Sequence, residues 1–587
     1  MKHTPKLVRA GLLSLGLLLS LGSLAQPDPA LELLSSRMEQ LNLNDGFQVH
    51  GVDVAAVRLI PRFYEARDFK LAWTRQENVD ALVRLVANTT EHGLNPEDYH
   101  LGALRGLLVE VRSTPKPDPS LRVDLDILLT DSLIRLAYHY NFGKVVPGDL
   151  DPNWNFGRRL QHEDPVQVLG AAIASESLEK FIDEAIPEPY FYRRLREALA
   201  QYREIKHAGG WPTVPPGATL RLGDRSERVA VLRDRLRITG DLEEPEASEP
   251  NLFDESVEAG VKAFQTRHSL DVDGAVGPKT RAALNVPVET RLDQIRVNME
   301  RIRWVYRDLP PDFILTDIAG FHVYLVRGGE IVWDARAQVG KPYRKTPVFR
   351  DTMNHLVFNP TWTVPPTILR KDILPKVQRD PDYLRRKNIS VLDRNGKALD
   401  IDSIDWASLS PGRFPYILRQ EPGPDNALGR VKFMFPNAFM VYLHDTPSKT
   451  LFGRTQRAFS SGCIRVERPF EFAELLLNNP QRWNQAAIQK VLDTQQTRTV
   501  MLEDPLPVLL LYWTTEVDET GRIHFREDIY GRDERILKAL NRGFVFSAPT
   551  NVPDWVQSMT KPRASRTLLS TRANAVSIHI FCIPDKA

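Results

Sequence analysis

The sequence predicts a multidomain α+β protein with a helical N-terminal scaffold, a small three-helix domain and a β-rich, sandwich-like domain that carries an inserted lid. Three observations support this fold class. A chain of 587 residues is too long for one ordinary domain. Glycine and proline are concentrated at residues 209–217, as in a linker. Near residue 312 the hydrophobic period changes from helical to alternating.

The overall composition is that of a globular protein. Hydrophobic residues make up 42% of the chain and charged residues 26%, which argues against wholesale disorder and against a polytopic membrane protein. The 77 basic and 75 acidic residues nearly balance. This balance gives no reason to expect a nucleic-acid partner.

The first residues are typical of an export signal. Lys2, Lys6 and Arg9 precede an apolar run at residues 10–24, and Ala25 ends a small-residue cleavage motif. We therefore expect a signal peptide at residues 1–25, cleaved after Ala25. A retained anchor is the less favoured alternative, because a bilayer-spanning helix needs about 20 apolar residues.

Residues 26–218 contain helical segments such as 80–91 and 124–140, with no chemical motif. We interpret them as a helical scaffold domain. Within residues 219–290, apolar residues recur at helical spacing on two segments. These residues are Val229, Leu232 and Leu236, followed by Val257, Val261 and Phe264. Pro278 is placed to open a third helix that runs to Leu284.

This second segment resembles the small peptidoglycan-binding domain of wall hydrolases. The resemblance is carried by Leu222-Gly223-Asp224, Phe264-Gln265 and the stretch from Asp271 to Thr280. The alternative is a helical spacer that binds nothing. Asp271 and Asp273 suggest a calcium loop, but the other ligand positions are missing, so we expect no metal.

Residues 312–505 are predicted to form the β-rich domain. Residues 321–326 and 330–335 alternate around Gly328-Gly329 as a β-hairpin does, and strands are expected at 356–358 and 439–444. A polar, proline-containing insertion at about 373–430 is predicted to form the lid. Residues 541–587 lack periodicity and are expected to be a disordered tail.

The chemistry is predicted to reside in His444 and Cys463. A thiol reacts as thiolate, and with an ordinary pKa near 8.5 it needs a neighbouring base such as an imidazole. Along a strand, Tyr442 and His444 share one face and Asp445 points to the other. We therefore expect a backbone carbonyl, and not the carboxylate of Asp445, to orient the imidazole.

The residues around Cys463 suit an acyl-transfer site. Gly462 leaves room for substrate and lets the backbone turn its N–H groups toward an oxyanion. In an extended segment, Arg465 emerges on the same side as the sulfur, where a guanidinium can bind a substrate carboxylate.

His444 and Cys463 lie 19 residues apart, and together with the stretch Ser460-Ser461-Gly462-Cys463-Ile464-Arg465-Val466 they resemble the catalytic motif of the L,D-transpeptidases. The resemblance extends through the stretches at 339–347 and 359–366 and covers most of residues 219–505. It is closest to the large, periplasmic, lid-bearing branch, which also carries a scaffold and a peptidoglycan-binding domain. Ser461 departs from the histidine that many members have there.

The resemblance implies that Cys463 is the nucleophile and His444 the base and later the acid, with Tyr442, Gly462, Arg465, Ser461 and Trp362 in the substrate cleft. Trp362 is equally compatible with a core position. It also implies a periplasmic enzyme that acts without a cofactor on donor and acceptor peptidoglycan stems, forming 3-3 cross-links through a thioester and releasing the terminal D-Ala. Carbapenem-type β-lactams are expected inhibitors, and wall-synthesis proteins are possible partners.

Two other functions remain open from the sequence. Water as acceptor would make the same site an L,D-carboxypeptidase or endopeptidase. An inert thiol would leave a non-catalytic wall-binding protein. The second cysteine, Cys582, lies in the predicted tail and has no assigned role.

Overall fold

The computed structural model describes residues 28–43, 47–156, 164–186, 188–243 and 248–544. The predicted signal peptide, Cys582 and the predicted tail from residue 545 onward lie outside these residues. In the described part of the chain, no helix combines the length and the apolar character that a bilayer crossing requires.

The N-terminal region is helical, as predicted. Its centre is the 24-residue helix α5, which is buried along most of its length because other helices surround it. The elements are α1 (Pro29–Leu43), β1 (Gln48–Val49), β2 (Val52–Asp53), α2 (Leu59–Glu65), α3 (Gln76–Ala87), α4 (Leu101–Ser113), α5 (Pro119–Phe142), α6 (Pro147–Leu150), α7 (Pro165–Ala174), α8 (Leu178–Ala185) and α9 (Tyr190–His207).

Three short helices follow, and they confirm the predicted periodicity. They are α10 (Glu227–Ile238), α11 (Glu255–Arg267) and α12 (Pro278–Leu284). The apolar stripes of α10 and α11 are fully buried against each other. Pro278 opens α12, where its missing N–H costs no helical hydrogen bond. Helix α13 (Val288–Arg303) then packs on α9 and leads into the β-rich region.

The β-rich region is one nine-stranded sheet that closes on itself. Its strands are β3 (Phe313–Asp317), β4 (His322–Arg327), β5 (Glu330–Gly340), β6 (Phe349–Phe358), β11 (Val431–Met434), β12 (Leu443–His444), β13 (Ala458–Ser460), β14 (Ile464–Val466) and β15 (Arg498–Leu511). The order is β13-β5-β14-β12-β11-β6-β15-β3-β4, and β4 also pairs with β5. Because the 11-residue β5 pairs with both β4 and β14, the sheet curls around one apolar core. This confirms the predicted β-rich domain.

Between β6 and β11 the chain forms a separate small unit with its own core. It contains β7 (Trp362–Thr363), α14 (Pro366–Ile368), α15 (Leu374–Val377), α16 (Asp382–Arg386), β8 (Ile389–Leu392), β9 (Ala398–Leu399) and β10 (Ile417–Gln420). We call residues 362–420 the lid insertion. It starts before the predicted residue 373, because β7 pairs with β10 across a sequence gap that local patterns do not reveal.

The last elements are α17 (Pro469–Leu477), α18 (Gln485–Asp493), β16 (Thr515–Val517), β17 (Ile523–Phe525) and α19 (Asp533–Leu540). After α19 the chain returns to the scaffold. The ammonium of Lys144 donates to the carbonyl oxygens of Leu540 and Arg542. The ring of Phe544 stacks on His139 with centroids 4.8 Å apart. The first residues of the predicted tail are therefore docked on α5.

Candidate active site

The site lies where β12 and β14 run side by side in parallel. Their register places Leu443 opposite Ile464 and His444 opposite Arg465. The predicted strand at 439–444 is shortened to Leu443–His444. The side-chain oxygen of Asn437 accepts hydrogen bonds from the N–H groups of Phe439 and Val441, and these bonds form a turn. Met440 lies within that turn and has a φ of 53°.

Residues 460–463, which we call the catalytic turn, connect β13 to β14. Gly462 has a φ of 123°, a left-handed conformation that favours glycine. Its N–H donates to the hydroxyl of Ser460 at 3.1 Å, and its carbonyl accepts from the hydroxyl of Thr346 at 2.8 Å. The N–H of Gly462 is thus occupied. The N–H of Cys463 donates to no atom among the described residues and is the better oxyanion donor.

Cys463 is a free cysteine, and the residue is partly buried. Its sulfur lies 3.8 Å from the carbonyl oxygen of Met440 and is hydrogen-bonded to the hydroxyl of Tyr442. Burial raises the pKa of the Cys463 thiol, while hydrogen bonds from Tyr442 and the positive charge of Arg465 oppose that rise. The side chain is therefore a thiol at neutral pH.

The imidazole of His444 is buried and held by backbone carbonyls. Its Nδ1 is hydrogen-bonded to the carbonyl oxygen of Asp445, and the carbonyl of Leu428 forms a second hydrogen bond with the ring. Burial, followed by the positive charge of Arg465, lowers the pKa of His444 to about 3. The ring is therefore neutral at neutral pH.

The carboxylate of Asp445 turns away from the imidazole, as strand alternation predicts. It pairs with the ammonium of Lys449 and accepts the N–H of Arg430 at 2.9 Å. A backbone carbonyl orients His444, and the site contains no Cys-His-Asp triad.

His444 and Cys463 share a face of the sheet but are not hydrogen-bonded to each other in the described part of the chain. The Tyr442 and His444 rings are 5.7 Å apart, and Tyr442 also contacts the sulfur. Since His444 is opposite Arg465 in the parallel register, the imidazole is displaced by two residues along the strands from the level of Cys463. Catalytic hydrogen bonds are often long in unliganded enzymes and tighten when substrate binds.

Arg465 lies near both groups, because its positive charge lowers the pKa of His444 and opposes the rise in the pKa of Cys463. One guanidinium nitrogen donates to the side-chain oxygen of Gln338 at 3.1 Å. Its Nε is buried and has no hydrogen-bond partner among the described residues. A donor left unsatisfied in this way is available for a substrate carboxylate.

Family comparisons agree with this geometry. Residues 311–494 match the model described as "L,D-transpeptidase catalytic domain". These residues form an L,D-transpeptidase catalytic domain. Residues 225–284 match the model described as "Putative peptidoglycan binding domain", and residues 58–199 match a "Scaffold domain".

A Haemophilus influenzae protein named "Putative L,D-transpeptidase" is 37% identical over 246 residues, which are 41% of this chain and 48% of that protein. The chain thus spans about half the length of this curated relative. Among solved structures, an L,D-transpeptidase from Mycobacterium smegmatis is 15% identical over 34% of this chain and 58% of its own, with a TM-score of 0.17. Another from Xylanimonas cellulosilytica is 14% identical over 51% and 99%, with a TM-score of 0.15.

Within this L,D-transpeptidase domain, Ser461 is exposed at the catalytic turn and has a partner that the sequence did not predict. Nη1 of Arg344 donates to the Ser461 hydroxyl at 2.7 Å and to the carboxylate of Asp372 at 2.6 Å. Asp372 belongs to the lid insertion. Arg344 lies in the stretch 339–347, which carried part of the family resemblance. Its positive charge alone did not predict a contact with Ser461.

Trp362 is part of the lid insertion. It lies on β7 opposite Gln420 and packs, partly buried, against the apolar core of that unit. Trp362 therefore occupies a core position, which the sequence also allowed. Across the described ranges, no cluster of three or more histidine, cysteine or acidic side chains is arranged to hold a metal ion.

Proposed function

We propose that this L,D-transpeptidase domain forms 3-3 cross-links in peptidoglycan through a thioester on Cys463. The observation that carries this proposal is the arrangement around the sulfur: a free, partly buried cysteine with Tyr442, Arg465 and the neutral His444 on the same face of the sheet. Nucleophile, base and anion-binding group are the components that acyl transfer from a peptide requires.

In the acylation step, His444 takes the thiol proton while the sulfur of Cys463 attacks the carbonyl carbon of the third residue of a tetrapeptide stem. The negative charge on the carbonyl oxygen is stabilised by the N–H of Cys463. Collapse breaks the amide bond, and the imidazolium returns the proton to the leaving amine of D-Ala. The product of this half-reaction is a thioester and free D-Ala.

In the second step, the side-chain amine of a neighbouring stem attacks the thioester. His444 removes a proton from this amine, the C–S bond breaks, and the sulfur recovers its proton. The net reaction exchanges one amide bond for another without oxidation or reduction, so the proposed chemistry needs no cofactor. Arg465 holds a stem carboxylate and fixes the position of the scissile bond.

We further propose that the protein acts in the periplasm after export, with the small three-helix domain engaging the wall. Carbapenem-type β-lactams are proposed to acylate the same thiol, since their strained carbonyl can react with Cys463 as the stem carbonyl does. Proteins of wall synthesis are proposed partners.

The test is incubation of the purified chain with tetrapeptide muropeptides, followed by mass spectrometry. The expected product is a dimer lighter by one D-Ala than two tetrapeptides, and an acyl-enzyme adduct is expected on Cys463. Cys463→Ala is the control and should give neither. Tripeptides without dimers would instead identify a carboxypeptidase, and identical results from wild type and Cys463→Ala would show that the thiol is not used.

A further inference from the structure

A cavity of about 390 Å³ lies beside the β5–β6 loop. Its walls come from five parts of the chain: residues 147–154 of the scaffold, residues 301–305 at the end of α13, the loop residues 345–348, residues 511–513 at the end of β15 and the C-terminal residues 530–536. The volume falls in the range of small-molecule sites. None of the proposed catalytic residues lines it.

One part of the cavity wall is aromatic. The side chains involved are Trp154, Trp304, Trp513, Tyr512 and Tyr530. Trp154 and Trp304 meet edge to face with centroids 5.4 Å apart, and both are partly exposed. Rigid aromatic surfaces of this kind offer flat apolar contacts to a ring-shaped ligand.

The rest of the wall carries excess positive charge. It contains Arg301, Lys345, Arg532 and Arg535 but only one acidic side chain, Asp151, which pairs with Arg532 at 3.0 Å. Arg535 is exposed and forms no ion pair within the described ranges.

Arg301 provides the most specific sign of an anion site. Its side chain is 95% buried, since its relative exposure is 5%. One guanidinium nitrogen pairs with Asp533 at 2.6 Å, but Nη2 is buried without a hydrogen-bond partner in the described part of the chain. An unsatisfied buried guanidinium nitrogen is costly to leave without an acceptor. A ligand oxygen would remove that cost.

The cavity is also joined to the catalytic turn. The hydroxyl of Tyr530 donates to the carbonyl oxygen of Gly340 at 2.6 Å and accepts the N–H of Thr346 at 3.1 Å. The hydroxyl of Thr346 in turn donates to the carbonyl of Gly462. The cavity wall is therefore connected by hydrogen bonds to the residue that precedes Cys463.

We propose that this cavity binds a carboxylate-bearing amino sugar. The sugar ring packs on the indoles of Trp154 and Trp304, and the carboxylate accepts from Nη2 of Arg301 and from Arg535. The aromatic and cationic walls require a ring with an anionic group. The choice of an amino sugar rests on the proposed function, because peptidoglycan glycan strands are made of amino sugars, and those without a stem peptide carry a free carboxylate.

The test uses the full chain and two probes that differ only in the carboxylate-bearing group, N-acetylmuramic acid and N-acetylglucosamine. Titration calorimetry is expected to show one site for N-acetylmuramic acid. N-acetylglucosamine should bind at least about tenfold more weakly, because it lacks the charge-assisted hydrogen bonds. Equal affinities, or no binding of either sugar, would overturn the proposal.

Variants locate the site. Arg535→Gln should weaken N-acetylmuramic acid binding by about three- to tenfold. The control is Arg105→Gln, because Arg105 is exposed on α4 and does not line the cavity. This control should leave the affinity unchanged. Arg301→Lys keeps a positive charge for Asp533 but removes Nη2, and should also weaken binding. If Arg301→Lys fails to fold, the affinity of Arg535→Gln and the comparison of the two sugars still test the proposal. Unchanged affinity in Arg535→Gln would contradict the proposal.

Cys463→Ala should bind N-acetylmuramic acid as the wild type does, because the thiol is not part of the cavity. Sugar binding without muropeptide dimers would contradict only the proposed function. Dimer formation without sugar binding would contradict only the cavity proposal.

Discussion

The guanidinium of Arg344 donates to the hydroxyl of Ser461 across 117 residues of sequence. The same nitrogen donates to Asp372 in the lid insertion. One arginine therefore ties the lid insertion to the catalytic turn beside Cys463. Many members of the family have a histidine where this chain has Ser461. In this chain the serine hydroxyl accepts a hydrogen bond from Arg344.

Asp372→Asn should loosen the lid insertion without unfolding it. The ion pair with Arg344 is partly exposed, with side-chain exposures of 11% and 40%, so its loss should cost no more than about 1 kcal/mol. Amide hydrogen exchange at residues 366–373 should accelerate by about two- to fivefold.

The matched control is Asp380→Asn. Asp380 forms an ion pair with Arg386 within the lid insertion but does not contact the catalytic turn. This variant should leave exchange at 366–373 unchanged. Equal acceleration of that segment in both variants would show that the Arg344 contact does not restrain the lid insertion.

Gly462→Ala should destabilise the domain by about 1–3 kcal/mol, because the backbone at φ 123° is unfavourable for any residue with a Cβ. Space is not the cause, since the nearest atom to an added Cβ would be the Lys345 oxygen at 3.8 Å. Gly423→Ala, at an open position without positive φ, should leave stability unchanged or slightly raised. Urea unfolding of the two variants measures this, and a similar midpoint for both would refute the strain argument.

Alkylation of Cys463 by iodoacetamide should accelerate with pH. Burial raises the pKa of this thiol, so the thiolate fraction should grow about tenfold per pH unit from pH 7 to 8. The measurement is made in a Cys582→Ser background so that only Cys463 reports. Arg465→Gln should react more slowly at each pH, since it removes a positive charge that lowers the thiol pKa. A flat profile from pH 6 to 9 would instead indicate a preformed thiolate–imidazolium pair.

His444→Gln and Asp445→Asn should differ in their effects on acylation. Losing the base should lower the single-turnover acylation rate by about 10²–10⁴-fold. Asp445→Asn should lower it by less than about tenfold, because its carboxylate faces Lys449 and the Arg430 N–H and not the imidazole. Its main effect should be a stability loss on the order of 1–2 kcal/mol. Equal rate losses in the two variants would argue for a triad.

The sequence by itself determined the elements whose signals are local. The apolar stripes of α10 and α11, the hairpin of β4 and β5, and the divergence of His444 and Asp445 across a strand all follow from helical or alternating periodicity. The strand around Met440 shows the limit, since the side chain of Asn437 imposes a turn that periodicity does not detect.

Only the tertiary structure decided the features that join distant parts of the chain. Closure of the sheet through β5, the Arg344 bridge from Asp372 to Ser461, and the cavity around Arg301 each bring together residues far apart in sequence. Periodicity reports which side of an element is buried, but it carries no information about which other element covers that side. Which elements cover each other depends on packing and hydrogen bonding across the whole fold.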